Sequence, residues 1–170
     1  MSNNNLQLDE ILRQGIVSAE EIIDVNEALL QIVIFSLAEE WYAFYGDNIS
    51  EILPQSTPVF FVPGCPSSLI GVINLRGEIE SVIDIAQILK LDKHRDSETI
   101  LLGQTMGGQC MRSGICVNQV IDVINILESE IHAAPDNFPE SIGPYVLGVI
   151  QFNEHAVTLL NLEQIFNEFS

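Results

Sequence analysis

From residue 31 onward, apolar residues come in short runs rich in Val, Ile, Phe and Tyr, broken by Gly, Pro and Asn. That texture belongs to strands rather than helices. Residues 32–37 and 41–45 flank Ala38-Glu39-Glu40 and predict a hairpin. A strand at 48–52 follows, then a link carrying Pro54, Pro58, Pro63 and Pro66. Strands at 71–75 and 79–83 enclose the turn Arg76-Gly77-Glu78, and a short helix at about 86–91 closes this half. The order then recurs. Residues 100–102 and 110–117 flank a turn at Gly107-Gly108, and 119–123 echo 48–52 at an offset of 71. A link with Pro135, Pro139 and Pro144 precedes strands at 146–152 and 156–161 and a terminal helix near 162–169.

The recurrence is also a repeat of residues. LIGVINLRGEIESVIDIAQIL at 69–89 returns as VLGVIQFNEHAVTLLNLEQIF at 146–166, a constant 77 positions later. Gly71, Val72, Ile73, Gln87 and Ile88 fall on Gly148, Val149, Ile150, Gln164 and Ile165. Carrying the match back into the link adds Pro58 on Pro135 and Phe61 on Phe138, seven identities over positions 58–89. A duplicated unit, about 31–91 and 98–169, is therefore expected. Many short strands with Gly/Pro turns mean a sandwich or small barrels, and the duplication favours paired barrels. The copies differ at one turn: Asn74-Leu75-Arg76-Gly77 against Gln151-Phe152-Asn153-Glu154. Residues 1–30 read differently, as one or two short amphipathic helices or an arm, with Ser18-x-x-Glu21 in capping-box form. Residues 90–97 are polar, hold three of the six basic residues and make the best junction.

Net charge is −18, from 24 acidic and 6 basic residues. Nucleic-acid binding draws its affinity from lysines and arginines on phosphates, so it is set aside, as is an anionic membrane surface. An acidic exterior keeps an apolar-rich chain in solution. No apolar run reaches the ~20 residues that a spanning helix needs, and the start lacks a secretory pattern. Cys65, Cys110 and Cys116 have no CxxC spacing, so a reducing cytoplasm is expected and no disulfide framework. Met1 and a helix running towards Ser170 suggest a whole small protein rather than a detached regulatory fragment of a kinase.

Chemistry-bearing patterns are thin. No nucleophile elbow, Walker A loop, zincin helix or dinucleotide fingerprint occurs. His94, His132 and His155 are scattered, with no metal-ligand spacing, and no cofactor is expected. The reading is non-enzymatic. Arg76 stands out as a cation in an apolar frame. It is either a solvated turn arginine or one half of a pair with Glu51. Were that pair partly buried, losing one member would cost roughly 3–5 kcal/mol.

The run Gly71-Val72-Ile73-Asn74-Leu75-Arg76-Gly77, followed by Ile79, Val82, Ile83, Asp84 and Ile85, resembles the signature of the CheW family of chemotaxis adaptors. Trp41-Tyr42-Ala43-Phe44 resembles that family's first hairpin, Ile49-Ser50-Glu51-Ile52 its V-x-E-I segment, and Gly114–Val117 with Val120, Asp122 and Val123 its second-half pattern. Tyr145-Val146-Leu147-Gly148 and Leu159-Leu160-Asn161-Leu162 match its closing strands. Ser81 stands where the family often has proline, and Asn118-Gln119 replaces its Asp-rich turn. The resemblance implies an all-β fold of two tandem five-stranded SH3-like barrels around a shared core, with short helices at the N-terminus, the mid-chain junction and the C-terminus. It implies no catalytic site and no cofactor. The partners it implies are the regulatory domain of a CheA-type histidine kinase and the cytoplasmic tip of a chemoreceptor, in chemotaxis or in pilus- or light-directed motility. An insulating adaptor, binding the kinase without supporting activation, is the alternative. Partner-binding positions carry over to Ile49, Glu51, Gly71, Val72, Ile73, Asn74, Arg76, Gly77 and Val120. The protein would be cytoplasmic and recruited to receptor arrays.

Overall fold

The computed structural model describes residues 27–92 and 99–169. The helices expected before residue 27 and the core of the polar junction lie outside the described residues. The described chain runs β1 (Leu29–Leu37), β2 (Glu40–Tyr45), β3 (Ile49–Leu53), β4 (Leu69–Leu75), β5 (Glu78–Asp84), α1 (Ile85–Ile88), β6 (Thr99–Gln104), β7 (Arg112–Val117), β8 (Gln119–Leu127), β9 (Val146–Phe152), β10 (His155–Leu160) and α2 (Leu162–Asn167). The strand expected from residue 110 begins only at Arg112. Thr105 holds the preceding loop, its hydroxyl donating to the Gln109 carbonyl and accepting from the Met111 N–H. The helix expected at 86–91 is shorter and starts earlier. Lys90 turns left-handed (φ 54°) and the Leu91 N–H closes back on the Ala86 carbonyl at 2.8 Å, an ending that stops the helix after one turn.

The ten strands form two five-stranded sheets, and the halves interlock. Sheet I has the order β3-β6-β7-β5-β4 and sheet II the order β8-β1-β2-β10-β9. Each takes three strands from one half and two from the other. The joins between halves are antiparallel at β3/β6 and β1/β8, and parallel at β5/β7 and β2/β10. Among the described residues neither sheet is hydrogen-bonded into a closed ring, which leaves β3 and β4 as the edge strands of sheet I and β8 and β9 as those of sheet II.

Equivalent irregularities fix the correspondence between the sheets. A bulge at Ser50, between Ile49 and Glu51, matches one at Ile121, between Val120 and Asp122. A bulge at Ile70 matches one at Leu147. Glu51 therefore corresponds to Asp122, Ile49 to Val120, and Arg76 to Asn153. In each copy the link then pairs once with the outer edge: Phe60 with Val72, and His132 with Val149. Those partners stand 72 positions apart, so the 77-residue offset does not extend into the link. The Pro58/Pro135 and Phe61/Phe138 identities are not structural equivalents, because the second link is five residues longer between its bridge and its glycine. The repeated glycine has a steric cause. A Cβ at Gly71 would collide with the Phe60 carbonyl oxygen, and one at Gly148 would lie 2.8 Å from the His132 carbonyl oxygen.

Burial explains the unbroken apolar run of β1. Ile32 and Ile34 point into sheet II with Ala43, Ile126, Ile150, Val157 and Leu159. Val33, Phe35 and Leu37 point the other way, into a core shared by both sheets with Phe44, Leu101, Ile115, Leu160 and Phe166. Leu53, Ile73, Val82, Ile100 and Cys116 fill sheet I. Tyr42 belongs to the shared core, and burial, reinforced by the nearby Glu40 charge, pushes its hydroxyl up to about 12.

Candidate functional site

The turn between β4 and β5 is a two-residue hairpin whose central residues both take positive φ, 51° at Arg76 and 88° at Gly77. Hairpins favour this geometry because its twist matches that of the strands. Glycine adopts it freely, and the Asn74 side-chain oxygen accepts the Gly77 N–H at 3.0 Å, which locks the turn. Asn74 and Gly77 thus shape the turn that carries Arg76.

The guanidinium spans the open side of sheet I. Its Nη1 donates to Glu51 Oε2 at 3.1 Å and its Nη2 to Oε1 at 2.9 Å, a two-pronged fork between edge strands that share no ladder. Glu51 is aimed by the bulge at Ser50, whose hydroxyl donates to the Leu102 carbonyl at 3.1 Å. The expected pairing is present, but the condition of burial is not met. The side chains are 73% and 32% exposed, so the fork contributes at most about 1 kcal/mol to stability. It displays charge more than it holds the fold.

The other expected positions divide by exposure. Val72 is half-buried, its N–H and C=O both taken by Phe60 at 2.9 and 2.8 Å. Ile49 and Val120 are half-buried counterparts that pack on the shared core at the seam between the sheets. Gly71 is buried under the link. Ile73 is wholly buried inside sheet I and offers no side-chain surface to a partner.

Sequence reasoning passed over the apolar residues around this turn. Phe60, Phe61 and Ile79 are well exposed, Phe61 at 78%, and Ile79 lies opposite Asn74 in the β4/β5 register. The cue was available: two adjacent phenylalanines inside a Pro-rich link have no strand alternation to bury them. A second ion pair also escaped notice. Arg112 Nε lies 3.2 Å from Glu80 Oε1 and its Nη1 lies 3.5 Å from Glu78 Oε2. Its counterpart in sheet II is an aromatic stack, Trp41 on His155 with centroids 4.0 Å apart. Among the described residues no group of three His, Cys, Asp or Glu side chains could hold a metal ion. No helix there is long and apolar enough to cross a membrane. The surface offers a fork, a rigid turn and an apolar surround, which suits docking.

Comparison with known proteins agrees with this architecture. The CheW-like domain family matches residues 31–170. The chemotaxis protein CheW of Helicobacter pylori is 29% identical over 172 residues, covering 99% of each chain, so that likeness reaches into the first thirty residues. That of Thermotoga maritima is 27% identical, over 82% of this chain and 89% of its own. The crystal structure of the CheW scaffolding protein from Thermoanaerobacter tengcongensis superposes with a TM-score of 0.68 at 27% identity, covering 79% of this chain and 90% of that one.

Proposed function

The chain belongs to the CheW-like domain family, and we propose that it is a non-enzymatic adaptor coupling methyl-accepting chemoreceptors to a CheA-type histidine kinase. A chemotaxis scaffold, not an enzyme, is what the family and its relatives indicate. The finer reading rests on one observation. The Glu51–Arg76 fork is held in a fixed geometry yet left exposed, on a sheet whose interior is packed without it. A charged pair kept on a rigid turn at little gain in stability is well suited to recognition.

In this reading the kinase's regulatory domain and the receptor's cytoplasmic tip are the partners. Glu51 and Arg76 orient the contact, Asn74 and Gly77 hold the turn, and Ile49, Val72 and Val120 supply apolar area at the edge. Gly71 and Ile73 support that surface from behind. Holding kinase and receptor together lets a receptor change bias the kinase's equilibrium. The protein works in the cytoplasm, recruited to receptor arrays, in chemotaxis or in pilus- or light-directed motility.

The test is autophosphorylation of the host's CheA-type kinase with receptor-bearing membranes, with and without this protein. Stimulation should require both receptor and Arg76, and Arg76→Glu should abolish it while thermal melting stays cooperative. Tight kinase binding without stimulation would replace this reading with the insulating adaptor. Loss of cooperative melting in the variant would make Arg76 structural and remove the argument.

A further inference from the structure

The duplicated sheets pack differently at one equivalent place. In the parallel joins Val82 pairs with Gly114 and Leu159 with Ala43, matching partners in the two copies. One step back, Ser113 beside Ser81 in sheet I answers to Tyr42 beside Thr158 in sheet II. Tyr42 is 4% exposed, and its ring stacks on Phe35 in the shared core. Where sheet II places that ring, sheet I places a serine and opens a cavity of about 310 Å³, walled by Leu69, Ile83, Met111, Phe166 and Phe169. Ile83, Phe166 and Ser113 are buried and form its inner end, while Pro66 is exposed and marks its mouth. At the inner end the Ser81 and Ser113 hydroxyl oxygens lie 2.8 Å apart. Ser113 donates its proton to the Ser81 carbonyl at 3.0 Å, so Ser81 donates to Ser113 and both protons are committed. The pair therefore offers the cavity lone pairs, and takes a donor.

We propose that this cavity anchors a tyrosine side chain presented by a partner protein, receiving in trans the ring that Tyr42 supplies in cis to sheet II. Three features of the site select that occupant. Its walls are apolar and its volume lies at the lower end of the roughly 300–1,000 Å³ of small-molecule sites, which suits one ring and its attachment. Its polar floor accepts a hydrogen bond, and a phenol donates one at the end of an apolar ring. Arg112, the charged residue on its wall, is already engaged by Glu80 and Glu78, so nothing there calls for a carboxylate. Net charge of −18 opposes an anion as well. A buried aromatic filling a pocket is also the commonest kind of anchor between proteins. Ser81 and Ile83 lie on the opposite face of β5 from Glu80 and Val82, so the inference stands whether or not the Glu51–Arg76 fork couples a kinase.

The experiment is an amide NMR titration of the full chain with N-acetyl-tyrosine methylamide, and with its phenylalanine and leucine counterparts. The Ser81, Ile83, Met111 and Ser113 amides should shift and saturate with tyrosine, while those of Glu39 and Glu128, outside the site, stay put. Affinity for tyrosine should exceed that for phenylalanine about fivefold, the worth of one hydrogen bond, and leucine should bind more weakly than either. Free p-cresol should bind no tighter than the tyrosine compound. Tighter binding by p-cresol would mean that the mouth rejects a backbone, which overturns docking of a protein. Ser113→Tyr gives sheet I the residue that sheet II already has, fills the cavity from within and should abolish the response. Survival of the response in that variant, or equal shifts with leucine and tyrosine, would overturn the proposal. Should Ser113→Tyr disturb the fold, Ser81→Ala with Ser113→Ala decides. That pair keeps the cavity and removes both hydroxyls, so the preference for tyrosine over phenylalanine should vanish, and its persistence overturns the assignment.

Discussion

Single residues in this chain answer for specific constraints. Gly71 and Gly148 lie where a link crosses an edge strand and bonds to the next residue, Val72 or Val149, in both directions at 2.8–2.9 Å. No side chain fits beneath those crossings. Gly71→Ala or Gly148→Ala should each destabilise by about 1–3 kcal/mol, as overpacking does. A urea midpoint that moves while its slope holds would show it, and an unchanged midpoint would mean the link lifts away freely. Tyr42 makes a different constraint visible in pH. Its hydroxyl is neutral in the core, and its pKa rises from 10.0 to about 12, first through burial and then through Glu40. The unfolded chain releases this proton first, so the contribution is intact below pH 10 and is lost as pH climbs towards 12. The loss is about 2–3 kcal/mol for the full shift. Tyr42→Phe should flatten that alkaline slope without abolishing it, since burial also raises Tyr45 and Tyr145.

At the scale of elements, the same hairpin end is secured by charge in sheet I and by aromatic contact in sheet II. The ion pairs there are not equivalent in cost. Glu80 is only 12% exposed beside Arg112, whereas Glu51 is 32% exposed beside Arg76. Stranding the deeper carboxylate costs more, so Arg112→Leu should destabilise by about 1–3 kcal/mol and Arg76→Leu by under about 1. Thermal melts of both variants would check the order, and the reverse order would make the fork the structural pair. The elements themselves were largely legible. Short β-branched runs between Gly, Pro and Asn located all ten strands, because those residues act locally. The α1 boundary was not legible, since Lys90 adopts a left-handed ending that nothing in its side chain announces. Nor was the Trp41–His155 stack, because correspondence with Arg112 and Glu78 emerges only once strand register is known. The turn carrying Arg76 was legible, but the exposure of its fork and the full burial of Ile73 depend on which face of β4 looks inward.

The whole molecule is where sequence pattern says least. Periodicity reports which face of a strand is buried and not which strand lies beside it, so the repeat reveals two units but not the exchange between them. That exchange has a mechanical consequence. Without residues 99–169, β3 loses β6, β5 loses β7, and β1 loses β8, which leaves two isolated hairpins and an unpaired strand. Isolated hairpins are marginal in water. The shared core fails with them, because it needs Phe35 and Phe44 from one half against Leu101, Ile115, Leu160 and Phe166 from the other. The duplicated unit is therefore a unit of sequence and not of folding. Expressed separately, residues 1–95 and 96–170 should each lack a cooperative thermal transition and dispersed amide resonances. Mixed together they should recover both, since every join between halves is non-covalent except the single connection from α1 to β6. Rescue on mixing would place most of the stability in the interlocked joins. A sharp transition in either fragment alone would show that one half forms its own core, and the exchange would then be an embellishment of two independent barrels rather than the source of their rigidity.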